Sequence, residues 1–199
     1  MTPLNLPAGI HRIAADVYHA DLLRPDVTLS RSLAAKCLRS AEHAWTHHPR
    51  LNPDYTSTTS ETFDFGKAAH RALLGVGGDV RVMPPQLLSS HGGIRSAEAR
   101  ALKAEWEAEG ATVVKQDVAD KCAAMAMRMK DFLAGLGVTI DPALSEMTAL
   151  AEVDGVWCRS MFDNCPDKPI MLPGIGKRKI HVDLKTTEDA SPADRKSVV

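Results

Sequence analysis

The stretch that decides the fold is EMTALAEVDGVWCRSMFD, residues 146–163. Apolar and polar residues alternate on both sides of Asp154–Gly155, and a period of two is typical of a strand with one buried face. An Asp-Gly pair between two such runs is a strong signal for a two-residue turn. The stretch therefore predicts a β-hairpin.

The turn also fixes a register for this hairpin. If Asp154–Gly155 is the loop, Val153 pairs with Val156, and the regular ladder places Glu146 directly across from Asp163. Opposed side chains share a face with Cβ atoms roughly 5 Å apart, so two carboxylates there need a neutralising charge. A divalent cation with hard oxygen ligands, Mg²⁺ or Mn²⁺, would supply it. A β-bulge would shift the register and remove this pairing.

A second informative stretch is KIHVDLKTTEDASP, residues 179–192, whose alternation puts Asp183 and Lys185 on one face of a predicted last strand. If this strand lies beside the hairpin, these two residues converge with Glu146 and Asp163. Three carboxylates and a lysine suit metal-assisted phosphodiester hydrolysis, in which the lysine positions the attacking water and adds positive charge at the phosphate. The alternative is a solvated face that carries a surface Asp–Lys pair.

The rest of the chain is predicted to be mainly helical. Residues 1–29 are punctuated by proline and are expected to be irregular. Helices are predicted over residues 30–45, 61–75, 96–109 and from Asp117 onward, where a Met-rich stripe is expected in the core. We expect a single α+β domain over residues 1–199. Residues 1–135 would be its mainly helical N-terminal part, and residues 140–199 would supply the hairpin and last strand of a mixed central sheet with flanking helices.

Composition sets broad limits on function. The 199 residues are 44% apolar and 25% charged with a net charge of −1, as in ordinary soluble proteins, and no global basic field points to nucleic acid. The N-terminus lacks the long apolar run of a secretory signal, and no run is long enough to span a membrane. The four cysteines form no CxxC pair. These features favour a cytoplasmic protein with reduced thiols.

Several segments, in this order, resemble the PD-(D/E)XK nuclease superfamily, and within it the phage-type exonucleases similar to RecE, exonuclease VIII. Besides the two stretches quoted above, the similarity involves YHADLLRPDVTLSRSLAAKCL, AEHAWTHHPRLNP and DFGKAAHRALLG. The motifs are short, but their order and spacing cover nearly the whole chain. The resemblance implies a restriction-endonuclease-like α/β core.

The resemblance also implies site residues. Glu146, Asp163, Asp183 and Lys185 match the acidic and lysine positions of the motif. His70 matches the histidine that sits near the metal, where the alternative is a helix-face histidine satisfied in the core. Mg²⁺ or Mn²⁺ would be bound by His70 and the three carboxylates.

The activity implied is a magnesium-dependent exonuclease that digests linear double-stranded DNA in phage or prophage recombination. Such relatives act as oligomers beside a single-strand annealing protein. Some carry an iron–sulfur cluster with three cysteines after the D-x-K strand, but no cysteine follows Lys185 here, so no cluster is expected. Relatives continue into a helix with a Gln-x-x-x-Tyr motif, whereas this sequence ends at ADRKSVV. A C-terminally truncated member is therefore expected, and the alternative function is a catalytically impaired remnant or a non-catalytic DNA-binding subunit.

Weaker signals concern DNA contacts and other metal sites. A Pro-Asp pair ends at Asp167 in a loop, and we rank Asp167 below Asp163 as the motif carboxylate. His43 and His47 could share a helix face, but no E-x-x-H pattern accompanies them, so a metal role is not expected. Five basic residues are candidates to face DNA, with a solvated loop as the alternative: Arg159, Lys168, Lys177, Arg178 and Lys179.

Overall fold

The hairpin around Asp154–Gly155 dominates the sheet structure of the protein, a computed structural model in which residues 2–56, 61–172 and 174–186 are described. Strands β4 (Ser145–Val153) and β5 (Val156–Asn164) pair antiparallel with Val153 opposite Val156, as predicted. Asp154 and Gly155 both have positive φ, at 50° and 79°, which matches the tight turns that suit the twist of a hairpin. The hairpin and its register are therefore confirmed.

The ladder is interrupted at one place that matters for the site. The pairs on either side, Ser145 with Asn164 and Met147 with Phe162, keep the predicted register, but the pair of Glu146 with Asp163 is not formed. Glu146 has a φ of 54°, a left-handed conformation that is unfavourable for a residue with a Cβ. The predicted direct opposition of these two carboxylates is therefore wrong, because the backbone leaves strand geometry at Glu146.

Strand β1 (Gly9–Arg12) pairs with β4 and completes a three-stranded antiparallel sheet in the order β1-β4-β5. Two isolated bridges lie along the outer edge of β5. Leu29 bridges to Cys158 near the start of the strand, and Val182 bridges to Asn164 at its end. The segment predicted as the last strand thus lies beside the hairpin as expected, but it pairs with β5 through a single β-bridge instead of a regular ladder. The chain from residue 187 to residue 199 lies outside the described residues.

Six helices accompany the strands in the described part of the chain. They are α1 (Ala15–His19), α2 (Arg31–Cys37), α3 (Ala41–Thr46), α4 (Glu61–Leu74), α5 (Ala97–Ala108) and α6 (Gln116–Gly135). The helix predicted over residues 30–45 is two helices, because the Ser40 hydroxyl accepts a hydrogen bond from the His43 N–H and starts α3. Ser30 and Ser96 cap α2 and α5, at the residues where the predicted ranges 30–45 and 96–109 begin. Helix α6 begins at Gln116 rather than after Asp117.

The main hydrophobic core lies between α4 and α6 and a parallel pair of short strands, β2 (Val80–Val82) and β3 (Thr112–Val114). Small residues on α4 allow close approach to Cys122 and Ala126 on α6. Leu184, from the C-terminal segment, is 8% exposed and joins the same core. The core therefore anchors the backbone between Asp183 and Lys185. The predicted Met-rich core stripe holds only in part, since Met125 and Phe132 are exposed.

Three predictions about the strands and sheets need correction. The chain predicted to be a loop before residue 179 contains a small antiparallel pair, β6 (Ile170–Leu172) and β7 (Gly176–Arg178), and the region before residue 29 contains β1 and α1. Among the described residues the strands form three separate sheets, not one mixed central sheet. The architecture is thus mixed α+β, as predicted at the level of class. None of the helices described is long and apolar enough to cross a bilayer.

Candidate functional site

The centre of the candidate site is a contact between α4 and the end of β5. His70 Nε2 lies 3.0 Å from Asp163 Oδ2, and His70 Nδ1 lies 2.9 Å from the Gly66 carbonyl oxygen. Both partners are hydrogen-bond acceptors, and a neutral imidazole has only one N–H to donate. The geometry therefore favours an imidazolium that donates to both oxygens. Consistently, the hydrogen bond with Asp163 raises the pKa of His70 above its usual range, against the opposing effect of burial.

Asp163 links this pair to the C-terminal segment. The Leu184 backbone N–H donates to Asp163 Oδ2 at 2.5 Å, so one carboxylate oxygen receives hydrogen bonds from two separate elements. Burial by itself would raise the pKa of Asp163, but the hydrogen bonds from His70 and Leu184 outweigh it and lower the pKa. The other oxygen, Oδ1, accepts no hydrogen bond from any described residue. Asp163 is thus ionised and fixed in place, with a side chain that is 14% exposed.

Asp183 and Lys185 flank the buried Leu184, and their side chains lie on the opposite face of the segment from the Leu184 side chain. Lys185 Nζ donates to Asp183 Oδ1 at 2.7 Å, and the two side chains are 62% and 53% exposed. Their shared face was predicted from the alternation and is confirmed. The charge of Lys185 is close enough to contribute, as a minor effect, to lowering the pKa values of both His70 and Asp163. The structure thus brings four of the five predicted site residues into one neighbourhood.

A cleft of about 530 Å³ adjoins this neighbourhood. Asp183 and Lys185 line one side of it, and the first turn of α2, from Ser30, lines another. Phe162 and His181 also line the cleft, with their rings stacked at 4.4 Å between centroids and 14° between planes. The paired Asp183 and Lys185 therefore face a space large enough for a small organic group.

Glu146 lies apart from the other predicted site residues. It lines a different cleft, of about 430 Å³, together with Arg12 and Asp16. Its carboxylate packs against Gly77, where an added Cβ would come within 3.0 Å of Glu146 Oε1. The left-handed backbone at Glu146 accounts for this separation, because it directs the side chain away from the regular strand face. In the described ranges, no three His, Cys, Asp or Glu residues are grouped closely enough to hold a metal ion.

Arg159, predicted to face DNA, is instead committed to a buried ion pair. It is 8% exposed, and its NH1 group donates to the carboxylate of Asp21, which is 0% exposed, and to the Thr28 hydroxyl. The alternation along β5 places residue 159 on the face that packs against Tyr18. Arg159 is thus largely buried rather than at the surface, although it lines the cleft that Asp183 and Lys185 also line. Its tertiary partner Asp21 could not be known from local pattern, and its predicted contact with DNA stays a prediction.

The remaining basic candidates are at the surface. Lys177 and Arg178 lie on β7, and Lys179 follows directly, so the three form an exposed basic run that leads into the Asp183 segment. Lys168 and Asp167 are exposed in the preceding loop. The four basic side chains are accessible to a phosphate backbone, which stays their predicted ligand.

Two groups of residues were not recognised as important from the sequence. The network around Asp21 has no local signature, since its members come from four separate segments. His181 did carry a signal, because it alternates with Asp183 and Lys185 and therefore shares their face. The structure adds that His181 Nδ1 lies 3.3 Å from the Cys165 sulfur.

Comparison with known proteins gives no further assignment: no family model, no curated protein and no solved structure matches the chain.

Proposed function

We propose that this chain is a metal-dependent deoxyribonuclease of the PD-(D/E)XK type, which hydrolyses phosphodiester bonds of linear double-stranded DNA as the RecE-like exonucleases do. The observation that carries the proposal is the junction of β5 with the 183–185 segment. There the Leu184 N–H binds Asp163, while Asp183 and Lys185 project together beside a cleft. A carboxylate at a strand end next to a D-x-K segment is the arrangement expected of such a site. The restriction-endonuclease-like core, a homo-oligomeric state and a single-strand annealing partner belong to the same proposal.

The donors at this junction fit magnesium in kind. Mg²⁺ is commonly held by one or two carboxylates, with water and substrate phosphate in the remaining positions. Asp163 has one oxygen without a hydrogen-bond partner among the described residues, and Asp183 is 53% exposed, so both can act as ligands. Mg²⁺ or Mn²⁺ bound there would lower the pKa of a water molecule and stabilise negative charge on the phosphate. Glu146 lies in the other cleft, so this proposal does not need it.

The chain's own residues divide the remaining tasks. Lys185 is 62% exposed on a flexible stem, so its ammonium can meet a phosphate oxygen and position the water that attacks it. His70 donates to Asp163 and is held in turn by the Gly66 carbonyl, so it fixes the orientation of this carboxylate. His70 is therefore a positioning residue in the described arrangement.

The test is digestion of linear duplex DNA with and without Mg²⁺, with supercoiled DNA as the control substrate. Lys185→Ala should lose activity by about 100-fold or more, in line with removal of a group that stabilises charge in the transition state. Lys121→Ala is the matched control, because Lys121 is 68% exposed on α6 and, among the described residues, forms an ion pair only with its helix neighbour Asp117. Equal digestion by the wild type and Lys185→Ala would contradict the proposal.

A second candidate, a non-catalytic DNA-binding protein, is favoured by one observation. Each site carboxylate is already paired with an internal cation, Asp163 with His70 and Asp183 with Lys185. A site without a metal can be stable in this form, since each charge is neutralised locally. Binding of duplex DNA that is equally strong with and without Mg²⁺, with no digestion, would support this candidate over the nuclease.

A further inference from the structure

The side chain of His181 is held in place by two independent contacts at the wall of the cleft. Phe162 stacks on one face of its ring, with 4.4 Å between centroids, and the Cys165 sulfur lies 3.3 Å from Nδ1. The first contact fixes the plane of the ring and the second fixes its rotation within that plane. An exposed histidine would otherwise sample several rotamers. The ring is therefore preorganised.

No described residue stacks on the other face of the His181 ring. His181 is exposed, and Phe162 and Cys165 are its only contacts with described residues through hydrogen bonds, ion pairs or rings. His181 and Phe162 both line the cleft of about 530 Å³ that Asp183 and Lys185 also line. A flat, immobilised aromatic surface thus lies beside an exposed ammonium group.

This combination selects a ligand by its chemistry. An open aromatic face stacks on another planar ring, and every nucleobase offers such a face. The ammonium of Lys185 pairs with Asp183 but is 62% exposed on a flexible stem, so it can turn toward the phosphate attached to that base. In duplex DNA the faces of a base are covered by its neighbours, so only an unpaired base can stack on a protein ring without first leaving the helix.

We propose that the open face of His181 stacks on an unpaired nucleobase, so that the cleft takes a single-stranded segment of DNA whose phosphate lies near Lys185. This inference rests on the proposed function for its choice of DNA as the ligand. Phe162 backs the histidine ring, and Cys165 positions it. His181 is thus a binding residue that makes the site prefer single-stranded segments over closed duplex.

The test measures binding in the absence of divalent metal, so that it does not depend on cleavage. A short single-stranded oligonucleotide carries 2-aminopurine, whose fluorescence falls on stacking, and it is titrated with wild type, His181→Ala and His181→Phe. His181→Ala should weaken binding by about 10-fold or more and remove the quenching, whereas His181→Phe should retain most of both. His91→Ala is the matched control, because His91 is exposed in a loop and its hydrogen bond within the described part of the chain is with Ser90 alone. Thermal unfolding of each variant checks that it is folded.

The outcomes separate this inference from the proposed function. Failure of the wild type to bind any DNA, single-stranded or duplex, would overturn both. Binding that is unchanged in His181→Ala would overturn the inference and leave the nuclease proposal standing. An oligonucleotide with abasic sites separates stacking from backbone contact. If His181→Ala weakens binding of the abasic strand as much as binding of the normal strand, His181 contacts the backbone and the stacking role is wrong.

Discussion

Arg159 offers the sharpest test of how the tertiary structure changes the role of a residue. Its guanidinium donates to the buried carboxylate of Asp21 and to the Thr28 hydroxyl, and lies 5.2 Å from the centre of the Tyr18 ring. Asp21 is 0% exposed and has a left-handed backbone with φ of 58°. Replacing Arg159 by alanine would leave this buried carboxylate without its closest cation.

The size of the effect follows from what remains around Asp21. Removing one partner of a buried ion pair costs about 3–5 kcal/mol, because the other charge is left uncompensated. Here the Thr28 N–H still donates to the carboxylate at 3.1 Å, and His48 Nε2 and Arg50 NH1 remain 3.3 Å and 3.8 Å from it. We therefore expect a loss at the lower end, about 3 kcal/mol for Arg159→Ala, which is a large part of the roughly 5–15 kcal/mol typical of a domain.

Urea unfolding of the wild type and Arg159→Ala measures this loss. The control is Lys121→Ala, which removes an exposed pair with Asp117 on one helix and should cost about 0.5 kcal/mol or less. Asp21→Asn, alone and combined with Arg159→Ala, closes a double-mutant cycle, and a coupling energy above about 1 kcal/mol is expected for partners in direct contact. If Arg159→Ala is as stable as Lys121→Ala but binds DNA less tightly, the structural role is refuted and the surface role predicted from the sequence is restored.

Two further predictions concern the surroundings of the site. Gly77→Ala should destabilise the protein by about 1–2 kcal/mol, because Gly77 has a φ of 100° and an added Cβ would lie 3.0 Å from Glu146 Oε1. The adjacent Gly78→Ala should be neutral or stabilising by up to about 1 kcal/mol, since nothing lies within 4 Å of its added Cβ and its φ is not positive. The His70–Asp163 pair should contribute about 1 kcal/mol to the free energy of unfolding, a value discounted for the 32% exposure of His70. This contribution is largest between pH 3.8 and 6.5, the ordinary pKa values of Asp and His. At higher pH the contribution is lost as the pH rises through the raised pKa of His70. At lower pH the contribution is lost as the pH falls through the lowered pKa of Asp163.

The effects of the glycine substitutions and of the His70–Asp163 pair are both measured by urea unfolding. For the glycines, equal stability of the two alanine variants would show that neither the backbone angle nor the Glu146 contact matters. For the ion pair, the difference in stability between the wild type and His70→Gln is followed across pH, with His91→Gln as an exposed control. A difference that stays constant across the whole pH range would contradict the assignment of an imidazolium to His70.

Local patterns predicted the elements that depend on neighbouring residues. The hairpin follows from alternation and the Asp-Gly turn, and the starts of α2 and α5 follow from Ser30 and Ser96, since capping involves residues only three positions apart. The same local reasoning missed the break at Ser40, because an apolar stripe continues through it. The same reasoning also predicted one central sheet where the structure has separate sheets, since local pattern does not say which strands pair.

The candidate site divides in the same way. That Asp183 and Lys185 share a face is a property of extended backbone and could be predicted from two residues in one segment. The separation of Glu146 from this group could not be predicted, because one residue in a left-handed conformation redirects its side chain without changing the register on either side. The pairing of His70 with Asp163 was expected only through resemblance, and the structure provides the contact.

By itself, then, the sequence determined the mixed α+β class, the hairpin with its register, most helix boundaries and the common face of Asp183 and Lys185. Only the tertiary structure decided that Arg159 is buried with Asp21, that Glu146 lies in a separate cleft and that His181 is held by Phe162 and Cys165. The physical reason is range. Periodicity, turns and caps act over a few residues, whereas burial of a charge or the direction of a side chain depends on partners that the chain brings together from distant segments.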